Sequence, residues 1–454
     1  MSLTVLTIIF LVSLVIMIML GLPIAFSLIG CAVATAAAMF AMGNPGGLEP
    51  QIIAAQLMRG TDSVTMMALP FFVLAGELMN RGGLTRRIID FCNIFVGRLR
   101  GGLGYVTIFA CLMFASLVGS AVASTAALGA ILIPMMVASG YNRPKAAGLV
   151  ASANLVSPIM PPSVPMIVYG ATASVSINAL FLGGVAPAIY LTIIMCAVWF
   201  VASMKDGVKS NAPKPTFKEM LKIFFSGLWA LMLPAIILIG LRSGIFTATE
   251  AGVVAVVYAL IIGIFVYKEL SLKVLFRAFI SASKMSAVVM FLAATAQVAA
   301  YILTISRIPQ VITESLAPLV SNPMLLNIVL QVIIILMGTC VDVVPTILIM
   351  TPIMLPLLKA AHIDLVYFGI VFTLANVLGL TSPPVGPVLN VACATGKVKM
   401  EEILKPVIPY YIFQTLLVFL LILFPELITY PLKWFANYNV PPMQNVIDLI
   451  RSWM

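Results

Sequence analysis

The chain has 454 residues, 62% of them hydrophobic and 9% charged, with a mean hydropathy of +1.16. Soluble domains carry about 25% charged residues, and no polar block here is long enough for an independent globular domain, so the whole chain reads as one polytopic unit in a lipid bilayer. The formal net charge of +10 does not point to nucleic acid, because the 25 Lys and Arg lie mostly in short connections between apolar stretches, where they fit membrane topology and anionic lipid.

Residues 3–20 and 23–42 predict two spans joined by Gly21 and Pro23. No basic n-region or small-residue cleavage site precedes the second span, so the first is expected to be retained rather than removed as a signal peptide. After the loop Gly43 to Pro50, residues 64–80 predict a third span carrying Glu77. A charge in an apolar run is costly unless paired or near the interface, and Asn80 and Arg81 directly after it favour the interface. From Leu84 to Val96, apolar residues at helical spacing face away from Arg86, Arg87 and Asp90, the pattern of an amphipathic helix on the membrane surface. Leu270 to Ala282 repeats that pattern before another long apolar run and is expected to be its counterpart.

Residues 105–118 begin a span that runs into S-L-V-G-S-A-V-A-S-T-A-A-L-G, where small hydroxyl and Gly residues suit close backbone approach and cation ligation. A re-entrant hairpin is expected over 116–138. Its counterpart is expected over 338–357, with Asp342 at the tip and Pro345 bending the chain. The alternative for each is a plain span with small residues at a helix–helix contact, against which Asp342 argues in the second.

Ala153 to Pro165 reads A-N-L-V-S-P-I-M-P-P-S-V-P. Proline donates no backbone hydrogen bond, and a carbonyl freed in hydrocarbon costs several kcal/mol unless something satisfies it, so an unwound segment lining a polar cavity is expected around 157–165. Ala375 to Pro387 reads A-N-V-L-G-L-T-S-P-P-V-G-P, a second break expected around 379–387. Asn154 and Asn376, Pro161 and Pro383, Pro162 and Pro384, and Pro165 and Pro387 are each 222 positions apart. Matching broken helices in two halves point to the binding site of a secondary transporter.

The remaining expectations concern connections and exclusions. A first repeat over 1–204 is followed by a linker, 205–222, with five Lys that place it in the cytoplasm. The second repeat covers 223–430, with spans near 224–242, 248–267, 285–304, 323–336 and 403–424, and 431–454 form a C-terminal tail. Whether the halves are parallel or inverted is open, because it depends on whether the first hairpin crosses. The cysteines show no C-x-x-C spacing, which indicates packing rather than disulfides or metal. The single His362, the lack of H-E-x-x-H and G-x-S-x-G, and the lack of a P-loop speak against an enzyme or an ATP-driven pump.

Six stretches then occur in a telling order: G-L-P-I-A-F (21–26), L-P-F-F-V-L-A-G-E-L-M (69–79), G-S-A-V-A-S-T-A-A-L-G (119–129), S-P-I-M-P-P-S (157–163), F-T-A-T-E-A-G (246–252) and T-S-P-P-V-G-P (381–387). Over nearly its whole length the chain resembles the large membrane subunit, DctM, of tripartite ATP-independent periplasmic (TRAP) transporters. The resemblance implies an all-α polytopic membrane protein of the bacterial inner membrane, an inverted-repeat elevator-type transporter with two re-entrant hairpins and two broken helices. It also implies import of a small carboxylate-bearing solute driven by sodium, with a periplasmic substrate-binding protein and a small membrane subunit as partners. Because the chain starts at the large subunit's first helix, the small subunit is expected to be a separate chain. A sodium-coupled carboxylate or ion symporter that works alone is the alternative.

Carried over by position, a first sodium (Na+) site would use Ser116, Gly119 and Ser120 with Ser157, Met160 and Pro161. A second would use Gly338 with Gly379, Ser382 and Val385. Sodium wants hard oxygen ligands, and broken helices expose carbonyls. Where relatives often continue Gly-Ser with Ser-Pro, this chain has Ala121-Val122, which excludes a side-chain ligand at Ala121. Ser124, Thr125, Asn154, Asp342 and Asn376 are the expected substrate-facing residues, Asp342 helping to bind a cation; for the two Asn, capping of the broken helices is the equal alternative.

Overall fold

The computed structural model describes residues 2–43, 49–63, 65–206, 216–308, 317–383, 385–438 and 440. They are all-helical, with no strand among them. In the first half the helices are α1 (Ser2–Met19), α2 (Ile24–Ala41), α3 (Pro50–Thr61), α4 (Ala68–Arg81), α5 (Leu84–Val96), α6 (Gly102–Val118), α7 (Ala121–Ala138), α8 (Arg143–Ala153), α9 (Val164–Ala173) and α10 (Ile177–Asp206). The second half holds α11 (Phe217–Arg242), α12 (Ala248–Ile261), α13 (Leu272–Ile305), the single turn α14 (Ala317–Val320), α15 (Pro323–Gly338), α16 (Val343–Ala360), α17 (Leu365–Gly379), α18 (Pro387–Gly396), α19 (Met400–Leu423) and α20 (Glu426–Ala436). Eight helical stretches among the described residues are long and apolar enough to cross a bilayer.

Prolines set many of the starts. Pro50, Pro144, Pro165, Pro323 and Pro387 sit in the first turns of α3, α8, α9, α15 and α18, where the missing N–H would have had no intrahelical acceptor. Side-chain caps set others: Asn142 accepts from the Lys145 N–H, and Asp364 from the Tyr367 N–H at 2.8 Å.

The two halves keep one register. Helix α7 starts at 121 and ends at 138, and α16 starts at 343 and ends at 360, a displacement of 222 at both ends. The caps Ser120 and Asp342, the caps Asn142 and Asp364, and the internal prolines Pro134 and Pro356, and Pro187 and Pro409, hold the same displacement. Packing is reciprocal as well: α7 lies on α18 while α16 lies on α9, and α6 lies on α8 while α15 lies on α17. A two-fold relation produces such reciprocity.

Helices α1–α4 and α12–α13 pack together as one group; α6–α10 and α15–α19 form the other. They meet along α4 and α13, which touch α6, α9 and α16. Helix α5 buries Leu84, Ile88, Ile89 and Phe91, packs on α6 and α11, and pairs Arg87 with Glu269 at 2.7 Å.

Several expectations need correcting. Leu270 to Ala282 is no separate surface helix: with no Gly or Pro between Leu272 and Ile305, helix formation runs unbroken over the 34 residues of α13. In the 222 register its start falls opposite α3, not opposite α5, whereas the first half breaks between α3 and α4 at residues 62–67. The counterpart of α5 falls on 306–318, of which 309–316 lie outside the described residues. Helix α3, whose mixed composition buries only Gln56, was not anticipated, and neither was α20. The third span starts at Ala68, not 64, and Val64 lies outside the described residues. The same holds for Pro384, for 207–215 of the linker, and for 439 and 441–454 of the tail.

Candidate functional site

The first hairpin turns at Gly119 and Ser120. Gly119 ends α6 with φ +66° and its N–H bonded to the Ala115 carbonyl, a left-handed conformation in which a side chain is strained. Ser120 is extended, and its hydroxyl accepts from the Ala123 N–H and so caps α7. Gly76 of α4 marks the contact between groups: a Cβ there would collide with the Leu117 carbonyl oxygen.

The first break follows the prolines. Helix α8 narrows into the 3₁₀ turn Asn154–Val156, the chain stays irregular to Ser163, and α9 restarts with Ser163 accepting from the Met166 N–H. The Ser163 hydroxyl also donates to the Pro158 carbonyl. Break and hairpin are joined: Ser157 Oγ lies 2.9 Å from Ser124 Oγ, both buried. A Cβ on Gly119 would come within 3.2 Å of the Pro162 carbonyl oxygen and 3.1 Å of the Val164 nitrogen.

The second hairpin turns over Thr339–Val341. Asp342, at its tip, caps α16 by accepting from the Val343 N–H at 2.8 Å, while its carbonyl accepts from the Thr346 hydroxyl. Here the helices touch backbone to backbone: a Cβ on Gly379 would fall 2.6 Å from the Gly338 Cα, and one on Gly338 would strike the Asn376 carbonyl. At the second break Gly386 donates its N–H to Thr339, binding break to tip.

A cavity of about 400 Å³ lies where the two groups of helices meet. Its walls are the two hairpin tips, Pro158, Val164 and Pro165 of the first break, Val73, Gly76, Glu77 and Asn80 of α4, and Met285 to Leu292 of α13. Of the expected site residues, Gly119, Ser120 and Asp342 line it. Ser116, Ser124, Thr125, Asn154 and Ser157 are buried outside its lining. Met160 and Pro161 belong to the irregular stretch without reaching the wall.

The expected second set gathers behind the other hairpin and touches this cavity nowhere. Gly338, Gly379 and the Asn376 carbonyl are mutually close. The Gly379 carbonyl accepts from both the N–H and the hydroxyl of Ser382, and the Val385 carbonyl accepts from Asn390 Nδ2 at 2.8 Å. A carbonyl has two lone pairs, so Gly379 uses both and Val385 keeps one free.

The two asparagines differ. Asn154 donates to the Val150 carbonyl at 2.9 Å and leaves its Oδ1 without a partner among the described residues, whereas Asn376, although fully buried, has a partner there for neither polar atom of its side chain. Capping thus accounts for half of Asn154 and none of Asn376. Ser116 donates to the Met113 carbonyl at 2.7 Å, and the buried Thr125 hydroxyl has no partner among the described residues.

Glu77 and Asn80 are the wall residues that sequence reasoning missed as site members. Glu77 pairs with Arg81 at 2.7 Å and accepts from the Ser281 hydroxyl at 2.9 Å. The pairing, rather than position alone, answers the cost of its charge.

The chain was compared with known proteins. A family model described as "Tripartite ATP-independent periplasmic transporter, DctM component" matches residues 11–427. A "Putative TRAP transporter large permease protein" of Haemophilus influenzae is 44% identical over 427 residues, 94% of this chain and 99% of that protein. The "2,3-diketo-L-gulonate TRAP transporter large permease protein YiaN" of Escherichia coli is 44% identical over 416 residues, 91% of this chain and 96% of its own length. Among solved structures, the YdaH transporter of Alcanivorax borkumensis superposes with a TM-score of 0.58 at 14% identity, covering 87% of this chain and 91% of that one. That likeness concerns the fold alone.

Proposed function

The chain belongs to the DctM component family of tripartite ATP-independent periplasmic transporters, large permeases of the bacterial inner membrane that carry out solute transport, and we propose that it imports a small carboxylate-bearing solute in symport with sodium. The observation that carries this reading is the cavity between the two groups of helices, into which both hairpin tips project with Ser120 and Asp342. Solute and ion meet the same moving parts there, as coupling demands. The 2,3-diketo-L-gulonate of the Escherichia coli relative is a carboxylate of suitable size.

In this reading the hairpins are re-entrant, the halves are inverted repeats, and the second group of helices moves along the first as an elevator. The reciprocal packing of α7 on α18 and α16 on α9 supports a two-fold relation. Sodium is cargo. Its first site draws on Ser116, Gly119, Ser120, Ser157, Met160 and Pro161, near which the backbone oxygen of Pro162 closes on Gly119. Its second draws on Gly338, Gly379, Ser382 and Val385, where binding turns the Ser382 hydroxyl away from the Gly379 carbonyl to free a lone pair. Asp342 favours cations at this point of the crevice, where the charge of Glu77 is paired with Arg81. A periplasmic binding protein delivers the solute, and a small membrane subunit covers part of the exposed apolar surface.

The test is uptake of radiolabelled small carboxylates, 2,3-diketo-L-gulonate first, into proteoliposomes holding this chain and its small partner. Uptake that needs both a sodium gradient and the binding protein supports the reading. Uptake without the binding protein replaces it by the stand-alone symporter, and sodium-independent uptake removes both ion sites.

A further inference from the structure

A second cavity, of about 270 Å³, lies between the same two groups of helices. It is built from the end of α3, the end of α9, the middle of α13 and the second turn onward of α16. Along α13 the first cavity is lined by 285–292 and the second by 293–300; along α9 the lining steps from 164–165 to 171–174, and along α16 from 342–345 to 348–352. Three helices thus step the same way by about eight residues, roughly 12 Å at 1.5 Å per residue. The cavities are neighbouring chambers of one crevice.

In the 222 register the first chamber pairs with itself at the hairpin tips, Ser120 to Ala123 with Asp342 to Pro345, and the second shares three such pairs with it: Ser63, Met66 and Leu348 with Met285, Val288 and Ala126. The two chambers differ in charge. The first presents Asp342 and, paired with Arg81 behind it, Glu77, and no basic side chain lines it among the described residues. The second presents Arg59, and no acidic side chain lines it among the described residues. At the position equivalent to Arg59, the other half has Ser281, which donates to Glu77.

Arg59 is placed by its neighbour. Gly60 lies so close to α13 that a Cβ there would fall 2.6 Å from the Ala294 Cα and 2.9 Å from the Gln297 Cβ. That approach brings Arg59 and Gln297 to one wall, facing Thr172 and Ser174 at the end of α9. Both Arg59 and Gln297 are exposed to the chamber, and neither side chain has a partner among the described residues. A free guanidinium fork, an amide and the Ser174 hydroxyl around a small polar chamber are donors for a planar anion, whereas the Thr172 hydroxyl already donates to the Val168 carbonyl at 2.8 Å.

We infer that Arg59, with Gln297 and Ser174, forms an anion-binding subsite at the second chamber, which takes the carboxylate of the solute. This rests on the reading that the solute carries a carboxylate. The solute's anionic end is held where the crevice is basic, and the hairpin tips, with Gly119, Ser120 and Asp342, lie one chamber away.

The test places a thiol on the chamber wall, Ala300→Cys, in the full chain with the exposed Cys340 replaced by Ser. Membrane vesicles are labelled with anionic 2-sulfonatoethyl methanethiosulfonate or with a cationic trimethylammonium methanethiosulfonate, each corrected for the parent without Ala300→Cys. The expected result is faster labelling by the anionic reagent, a preference that falls about tenfold in Arg59→Gln, as for loss of one charge-assisted contact. Succinate in excess is expected to slow labelling only when Arg59 is present. If Arg59→Gln fails to insert, Gln297→Glu reads the same potential. For uptake, the KM for the carboxylate is expected to rise about tenfold in Arg59→Gln and less in Arg59→Lys, which keeps the charge without the fork. An unchanged reagent preference with no protection by succinate overturns the subsite. Labelling needs no transport, so failure of the wild type to move any carboxylate counts against the transport reading alone.

Discussion

Ser120 and Asp342 hold the same place in the two halves: each caps the second helix of its hairpin, and both open onto one cavity. Only one of them is charged. The asymmetry allows the cap and the charge to be separated by substitution.

Asp342→Asn retains a good capping side chain, whereas Asp342→Ala loses it, so stability is expected to change by a few tenths of a kcal/mol in the first and by about 1 kcal/mol in the second. Sodium-driven uptake is expected to fail in both. Thermal unfolding in detergent, alongside vesicle uptake, checks this. Wild-type uptake by the Asn variant would reduce Asp342 to a cap.

Gly379→Ala is expected to cost about 1–3 kcal/mol, because its Cβ would meet the Gly338 Cα at 2.6 Å and neither backbone has room to withdraw. Ser116→Ala, at the position equivalent to Gly338, removes one hydrogen bond to Met113 and is expected to cost about 1 kcal/mol. Unfolding midpoints of the two variants, compared side by side, decide whether the second hairpin is the more tightly packed.

The Ser124–Ser157 hydrogen bond joins the first hairpin to the first break. A double-mutant cycle with Ser124→Ala and Ser157→Ala is expected to give a coupling of about 0.5–1.5 kcal/mol. A coupling near zero would show that hairpin and break are held by their surroundings instead.

Asn376 buries an amide with no partner for either end. Replacing it by Leu in sodium-free buffer is expected to stabilise the protein by about 1–2 kcal/mol, since an unsatisfied buried group is removed. If a ligand engages Asn376 during transport, the stabilisation of the wild type by added sodium and solute is expected to vanish in Asn376→Leu. Midpoints measured with and without both additions test the two statements together.

Much of the fold could be read from local chemistry. Proline marks a break because it lacks a donor, small hydroxyl and glycine residues mark close backbone approach, and long apolar runs mark spans; Asp342 and the stretch around Pro161 were found on those grounds, Gly119 through the family resemblance. What failed to be legible was how elements face one another. Helix α3 has no strong periodicity, since its packing runs through Gly60 on α13 and not through a large apolar face. The periodicity of Leu270 to Ala282 resembled that of Leu84 to Val96, but periodicity reports one exposed face and says nothing of where a helix ends. Glu77 and Asn80 gave no sign that they would wall the cavity, because that depends on Gly76 letting α4 touch the first hairpin. Asn154 and Asn376 share a preceding Ala and the spacing to three prolines, but not the hydrogen bonding.

The constant register of 222 gives this protein an internal paralogue. Where helix bounds, caps and internal prolines coincide, as over α7 and α16, each position has a partner in a matching backbone, so the residue at one site is a natural graft for the other. Where the partners still agree, as at Pro134 and Pro356, the shared backbone dictates the choice. Where they have parted, as at Ser157 and Gly379 or at Arg59 and Ser281, transplanting one into the other asks which half owns a given task, and the fold itself supplies the control.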